Sequence, residues 1–186
     1  MRSMMWLAGT GLVLLPLIWA CDEAPPGPSD GAVTSAAVPA LSADGRSIAM
    51  LDQCEPESFN AAIGPGTCVR DGGITFDKFL GILAKQQTVP SWAFSPGVIH
   101  VPHEATLAIR NLGGEVHTFT RVEEFGGGFI PDLNELSGNP VPAPECLDFA
   151  SLEFIPAGGE GAETFTPGES EKFMCCIHPW MRAVTN

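Results

Sequence analysis

The stretch FMCCIHPWMR, residues 173–182, brings two adjacent cysteines, a histidine and a following methionine together near the C-terminus. Cys175 and Cys176 are adjacent, His178 follows them, and Met181 comes next. Thiolate, imidazole and thioether groups are soft or borderline donors, so together they suit copper and zinc far better than magnesium or calcium. The stretch therefore predicts a metal site, and the first question is which cysteine binds the metal.

Cysteine pairing separates structural thiols from a reactive one. The chain has six cysteines, and in an oxidising compartment free thiols tend to pair. Cys54 and Cys68 are close in sequence and are expected to form a disulfide. A bridge between the neighbours Cys175 and Cys176 would be strained. We therefore expect one of these two to pair with Cys146.

Strand alternation indicates which of the two neighbours stays free. Residues 171–176 have the character of a strand, in which successive side chains point to opposite faces. Phe173 and Cys175 share one face, which should be the core. Cys176 then points outward or sideways, where it can pair with Cys146. Cys175 remains as a free inward thiol.

An earlier histidine, His117, completes a set of two imidazoles, one thiolate and a weak thioether, which is the ligand set of a mononuclear blue copper site. The spacing Cys175-x2-His178-x2-Met181 resembles the C-terminal copper loop of small cupredoxins, and that of amicyanin in particular. Upstream, WAFSPGVIHVPHEATLAIRNLGGEVHTFT is similar to the strands that lead to the first histidine ligand in that family. The resemblance covers roughly residues 89–186.

This resemblance implies both a fold and a function. The fold is an all-β, cupredoxin-like Greek-key β-sandwich, here with a short helical N-terminal extension. The site is one type 1 copper held by His117, Cys175, His178 and Met181, in an electron carrier that has no small-molecule substrate and is not an enzyme. His117 and Cys175 are 58 residues apart, which is longer than in small cupredoxins, so we expect an insertion that carries Cys146.

Three other interpretations stay open. Zinc also suits cysteine and histidine, but a closed zinc site would require Cys176 or Cys146 as further thiolate ligands. Copper storage, delivery or sensing without electron transfer is the alternative function, although no Met-rich or His-rich tract favours it. A metal-free structural module is the third. A copper enzyme would need more histidines than His100 and His103, which we expect to be exposed.

The N-terminus is typical of a bacterial targeting segment. Arg2 precedes an apolar run that is too short to span a bilayer, so residues 1–20 are predicted to be a signal peptide. The run ends in IWAC, which resembles a lipobox and predicts that Cys21 is lipidated. An ordinary secretory signal cut nearby is the alternative. The protein is expected outside the cytoplasm, anchored by lipid to a bacterial membrane that faces the periplasm or the exterior.

The remaining sequence predicts three regions. Residues 21–47 are rich in proline and small polar residues and should form a flexible, lipid-anchored linker. Residues 48–88 should form a helical, disulfide-bonded extension. In it, Thr75 can cap the helix TFDKFLGILAKQQ, whose apolar residues recur at helical spacing. Residues 89–186 should form the cupredoxin domain.

The charge balance limits the kinds of partner. Asp and Glu number 22 against 9 Lys and Arg, which gives a formal net charge of −13. Such an acidic chain would repel nucleic acid phosphates. It suits redox partner proteins of the cell envelope that have a basic surface, in addition to the membrane contact through the lipid anchor.

Overall fold

The computed structural model describes residues 47–186. The predicted signal peptide, the predicted lipidation site Cys21 and the linker up to residue 46 lie outside the described residues. None of the helices in the described part is long and apolar enough to cross a membrane. The elements in chain order are β1 (Ser47–Leu51), α1 (Pro56–Ala62), α2 (Phe76–Gln86), β2 (Ala93–Ser95), β3 (Val98–Ile99), β4 (Ala105–Asn111), β5 (His117–Thr118), β6 (Thr120–Val122), α3 (Pro131–Leu136), a 3₁₀ helix (Pro144–Leu147), β7 (Phe154–Ile155), β8 (Glu160–Phe165), β9 (Lys172–Met174) and β10 (Arg182–Thr185).

Two four-stranded sheets form a β-sandwich, in agreement with the predicted fold class. The first sheet has the strand order β2-β1-β4-β8 and the second has the order β3-β10-β9-β6. A two-stranded ladder joins β5 to β7. The pairs β1–β4 and β3–β10 are parallel, and the other pairs within the two large sheets are antiparallel. Phe165 and Phe173 meet between the sheets, with ring centroids 5.3 Å apart.

Strand β1 lies in the centre of the first sheet, between β2 and β4. For this part of the chain the sequence indicated only helices, so the strand is a difference from expectation. Its side chains alternate, with Ile48 and Met50 buried in the core. Four of its five residues are apolar, so the sequence shows no alternation from which a strand could be predicted.

Strand β9 ends at Met174, before the end of the predicted strand 171–176, but the alternation continues through Cys175 and Cys176, and the two faces are buried in different cores. Phe173 and Cys175 pack in the main core between the sheets. Met174 and Cys176 belong to a smaller cluster with Cys146. Strand alternation therefore operates as expected, but the outer face is covered by the insertion instead of meeting solvent. Cys146 and Cys176 form a disulfide in this smaller core.

The helices α1 and α2 pack against the sandwich. The Glu55 carboxylate accepts backbone N–H bonds at the start of α1, and the Thr75 hydroxyl accepts one from Lys78 at the start of α2. Phe59 and Phe79 bury their rings against Trp92, with centroids 6.0 and 4.9 Å away. The helical segment thus shares its core with the sheets. A disulfide between Cys54 and Cys68 closes the loop around α1.

Replacing both cysteines of this bridge, as Cys54→Ala with Cys68→Ala, is expected to lower the free energy of unfolding by about 3 kcal/mol. The bridge joins residues with a sequence separation of 14, and in the chain-entropy model a loop of this length is worth about that much. Denaturant unfolding of the variant and the parent measures the difference. Equal stability would contradict a stabilising role for the bridge.

Candidate metal centre

The loop that joins β9 to β10 carries three of the predicted ligands. The N–H of Cys175 donates to the carbonyl of Met181 at 3.0 Å, and the N–H of Met181 donates to the carbonyl of His178 at 2.9 Å. Nε of Arg182 donates to the carbonyl of Pro179 at 2.8 Å. These bonds close the loop at its base and hold the Cys175 and His178 side chains in the interior, where each is nearly inaccessible.

His117 reaches the same place from β5. It is fully buried and lies opposite Ile155 in the ladder with β7. The N–H of Thr118 donates to Sγ of Cys175 at 3.5 Å, and the N–H of Cys176 donates to Oγ1 of Thr118 at 2.8 Å. Two hydrogen bonds therefore connect β5 to the start of the ligand loop. They bring His117 beside the free thiol.

Three donor atoms converge at this point. Nδ1 of His117 and Nδ1 of His178 are 3.3 Å apart, and Sγ of Cys175 lies 3.8 and 3.9 Å from them. A point in the plane of three atoms with these separations is equidistant from them at about 2.1 Å, close to the roughly 2.0 Å of metal–imidazole bonds and 2.3 Å of metal–thiolate bonds. The donor set therefore fits one transition-metal ion.

Met181, the fourth predicted ligand, is also close to this cluster. Its side chain is fully buried in the core that contains Cys175, and its backbone bonds to both Cys175 and His178. Binding of a metal by its sulfur stays a prediction. His100 and His103 are exposed and do not belong to the converging donor set.

The other cysteines in residues 47–186 cannot add thiolates to the site. Cys54, Cys68, Cys146 and Cys176 are all in disulfides, and Cys175 is the free thiol of the described part. A zinc site with several thiolate ligands is therefore not available in this disulfide-bonded state. The single thiolate with two imidazoles is instead the donor set of a mononuclear copper site.

A buried aspartate lies on the far side of His117. Oδ2 of Asp52 accepts a hydrogen bond from Nε2 of His117 at 2.9 Å, and the side chains of both are inaccessible. The same carboxylate accepts backbone N–H bonds from Gly114 at 2.9 Å and Glu115 at 3.0 Å. A Cβ on Gly113 would overlap the carboxylate, so glycine is required there. Because Nε2 donates its proton to Asp52, Nδ1 is the nitrogen that a metal can bind, in place of any proton held there.

The second imidazole has an acidic neighbour as well. Oε2 of Glu115 lies 3.7 Å from Nε2 of His178, which is an electrostatic contact, and accepts a hydrogen bond from Nε1 of Trp92 at 2.6 Å. Glu115 is 5% exposed. Both imidazoles therefore present Nδ1 to the thiolate and Nε2 to a carboxylate.

Neither acid was identified from the sequence. Glu115 stands two positions before His117, and side chains two apart on an extended chain point to the same side. The segment GGEVH thus contained a usable signal for it. Asp52 is separated from its histidine by 65 residues and follows a strand that was not predicted, so no local pattern connects the two.

The buried charges adjust one another's pKa values. Burial opposes the charged form of His117, but hydrogen bonds to Asp52 and Cys175 outweigh it and raise the pKa of His117 to about 9. Burial also opposes ionisation of Cys175, yet the two imidazoles hold the pKa of this thiol well below its usual value. Burial likewise opposes ionisation of Asp52, but hydrogen bonds, first that from His117, lower its pKa to about 2. The folded protein therefore favours the thiolate that a metal requires.

Aromatic rings cover the outer side of His178. The centroids of Phe79 and Trp180 lie 6.4 and 5.4 Å from that of the imidazole, in edge-to-face arrangements. Phe79 belongs to α2, so the helical segment contributes directly to the metal centre. Trp180 is partly exposed, while its indole Nε1 is buried without a hydrogen-bond partner.

Comparisons with known proteins give only remote likenesses. No family model and no curated protein matches the chain. Similar solved structures include a purple cupredoxin from Nitrosopumilus maritimus (14% identity over 53% of this chain and 84% of that one, TM-score 0.37). A reduced auracyanin from Roseiflexus castenholzii is 20% identical over 50% of this chain and 86% of that one, with a TM-score of 0.32. A Cu-containing nitrite reductase from Thermus scotoductus is 19% identical over 50% of this chain and 19% of that one, with a TM-score of 0.32. At these values the likenesses bear no weight for this chain, so its fold rests on its own sheets and its chemistry on its own donor atoms.

Replacing Cys175 by serine is expected to abolish the thiolate-to-metal charge-transfer band in copper-loaded protein, because the other cysteines near the site are in disulfides. The matched control is Cys146→Ser with Cys176→Ser, which opens the neighbouring bridge. It should keep the band and lose about 3–4 kcal/mol of unfolding free energy, as expected for a sequence separation of 30. Visible absorption and denaturant unfolding measure the two effects. The reverse pattern would show that the roles of the two neighbours are exchanged.

Replacing Asp52 by asparagine is expected to weaken metal binding by about 10–100-fold. Asp52 accepts hydrogen bonds with both oxygens, whereas an amide has one acceptor and would lose the orientation of His117. Competition with a chelator measures the affinity, and Asp77→Asn on the exposed start of α2 is the control. Equal affinities for the two variants would exclude an orienting role for Asp52.

Proposed function

We propose that this chain is a cupredoxin that binds one type 1 copper and carries single electrons in the bacterial cell envelope. The observation that carries the proposal is the buried triangle formed by two Nδ1 atoms and one Sγ atom, from His117, His178 and Cys175, at 3.3–3.9 Å. Met181 lies on the same loop and would supply the weak axial thioether. This is the ligand set of blue copper proteins.

Bound copper would supply one-electron redox chemistry, and the protein's part is to hold its donors in place. Asp52 orients the imidazole of His117 through Nε2. The N–H of Thr118 points at the thiolate of Cys175 and stabilises its negative charge. Donors that are fixed before the metal arrives change little between its oxidation states, so little reorganisation opposes electron transfer.

The side chains that cover the site support a proposed route for the electron. His178 is 3% exposed and is shielded by Phe79 and Trp180. Of these three rings, that of Trp180 is the partly exposed one. We therefore place the docking area of a redox partner at Trp180, with the electron passing through this ring and His178. The net charge of −13 favours a partner with a basic surface.

The disulfides and the N-terminal sequence support the proposed location. Two disulfides in residues 47–186 are typical of an oxidising compartment. Together with the segment that resembles a lipobox, they support a protein cleaved before Cys21 and anchored there by lipid. In this proposal residues 21–46 are the tether that holds the domain away from the membrane, since Ser47 already belongs to β1.

Repeated reduction and reoxidation of the copper-loaded protein tests the function against copper storage or delivery. Reduction with ascorbate in the presence of a Cu(I) chelator should bleach the colour, and ferricyanide should restore it with the copper retained. The ligands are buried and preformed, so they should hold copper in both oxidation states and leave the chelator little access to it. Transfer of copper to the chelator at the first reduction would instead favour delivery of the metal.

A further inference from the structure

An apolar cavity of about 1140 Å³ opens next to the metal centre. One wall is formed by α1, α2 and the loop that follows α1. A second wall is formed by residues 129–136, which include α3, and a third by residues 154–157. Glu115 and His178 also line the cavity, and both are nearly inaccessible to solvent.

We propose that this cavity binds an uncharged aromatic small molecule that carries a hydroxyl group, of the phenol or hydroquinone class. The cavity reaches the size of pockets that enclose whole small ligands, which are mostly apolar with a few polar groups. A partner protein with a flat surface would leave the interior of the cavity empty. Five phenylalanine rings line the cavity and can contact an aromatic ligand edge-on or face-on: Phe59, Phe76, Phe79, Phe129 and Phe154.

The polar groups of the cavity select for a hydrogen-bond donor. The Glu115 carboxylate lines the cavity, is 5% exposed, and can accept a bond from a ligand hydroxyl. A donor that reaches it is held at the inner end, beside the imidazole of His178. Oε2 of Glu115 already accepts a bond from Trp92, so a ligand without a donor would bury Oε1 without a partner, which costs affinity.

The charges around the cavity select against anions. Asp132 and Glu135 are exposed on α3 and line the cavity, and Glu115 lies within it. No lysine or arginine is among the lining residues. A carboxylate or phosphate ligand would therefore meet three acids and no basic partner. A cationic ligand would have to give up its hydration among apolar walls, since the two acids of α3 are solvated.

The rim of the cavity is apolar and accessible. Ile63 and Val69 are 58% and 60% exposed although both are large hydrophobic residues that line the opening. Their exposure leaves the entrance open to a ligand and makes them suitable for substitution, because the fold does not depend on burying them. The cavity is lined by protein side chains alone, so binding there does not require copper in the neighbouring centre.

Calorimetric titration of the full chain with 2-naphthol, with and without copper, tests the proposal. We expect saturable one-to-one binding in both forms. Binding of 2-methoxynaphthalene should be several-fold weaker because its oxygen cannot donate, and binding of 2-naphthoate should be at least tenfold weaker because of the acids. Absence of 2-naphthol binding, or equal or tighter binding of 2-naphthoate or of the cation 2-naphthylmethylammonium, would overturn the proposal.

Variants at the rim locate the binding site. Ile63→Trp together with Val69→Trp should fill the entrance and weaken 2-naphthol binding at least tenfold. Val141→Trp, at a residue that is 74% exposed and does not line the cavity, is the matched control and should bind like the parent. Thermal unfolding verifies that all are folded. Equal affinity in all three proteins would place the binding elsewhere and overturn the assignment. The assignment would also be overturned if the chain did not bind 2-naphthol and instead formed a dimer in solution that the rim variants abolish.

Discussion

The hydrogen bond between His117 and Asp52 joins the sheet to the metal centre. Both side chains are inaccessible to water, and a buried carboxylate is tolerated only when its oxygens are paired. Asp52 obtains its partners from His117 and from the backbone of residues 114 and 115. Its own position follows from β1, which is held on both sides by β2 and β4. The orientation of the first imidazole therefore depends on the centre of the first sheet.

The adjacent cysteines illustrate how strand geometry assigns different chemistry to neighbours. Cys175 faces the main core and the two imidazoles, whereas Cys176 faces the small core under the insertion and is bonded to Cys146. The disulfide removes the second thiol from the set of free donors and holds the insertion beside the loop that carries Cys175 and His178. One free thiol remains, and although burial opposes its ionisation, the two imidazoles hold its pKa well below the usual value. This favours a copper site with a single thiolate over a zinc site with several.

The parts of the site that could be predicted are those determined by local sequence. The spacing of Cys175, His178 and Met181 is set by one short loop, and the face of Cys175 follows from alternation with Phe173. Helix α2 was also predictable from its cap and apolar spacing, but such a pattern does not tell which surface the apolar face contacts. The covering of His178 by Phe79 could not be predicted for this reason. The contact between Asp52 and His117 could not be predicted either, because 65 residues separate the two in sequence.

The buried triangle of two imidazoles and one thiolate is proposed to bind copper as a type 1 site. Visible absorption and electron paramagnetic resonance of the purified protein after addition of one equivalent of Cu(II) test it most directly. An intense thiolate-to-copper band with narrow copper hyperfine splitting is expected of a type 1 site, since a thiolate, two imidazoles and a weak thioether would surround the metal. A colourless protein with the wide splitting of ordinary Cu(II), or one that binds only zinc, would contradict it.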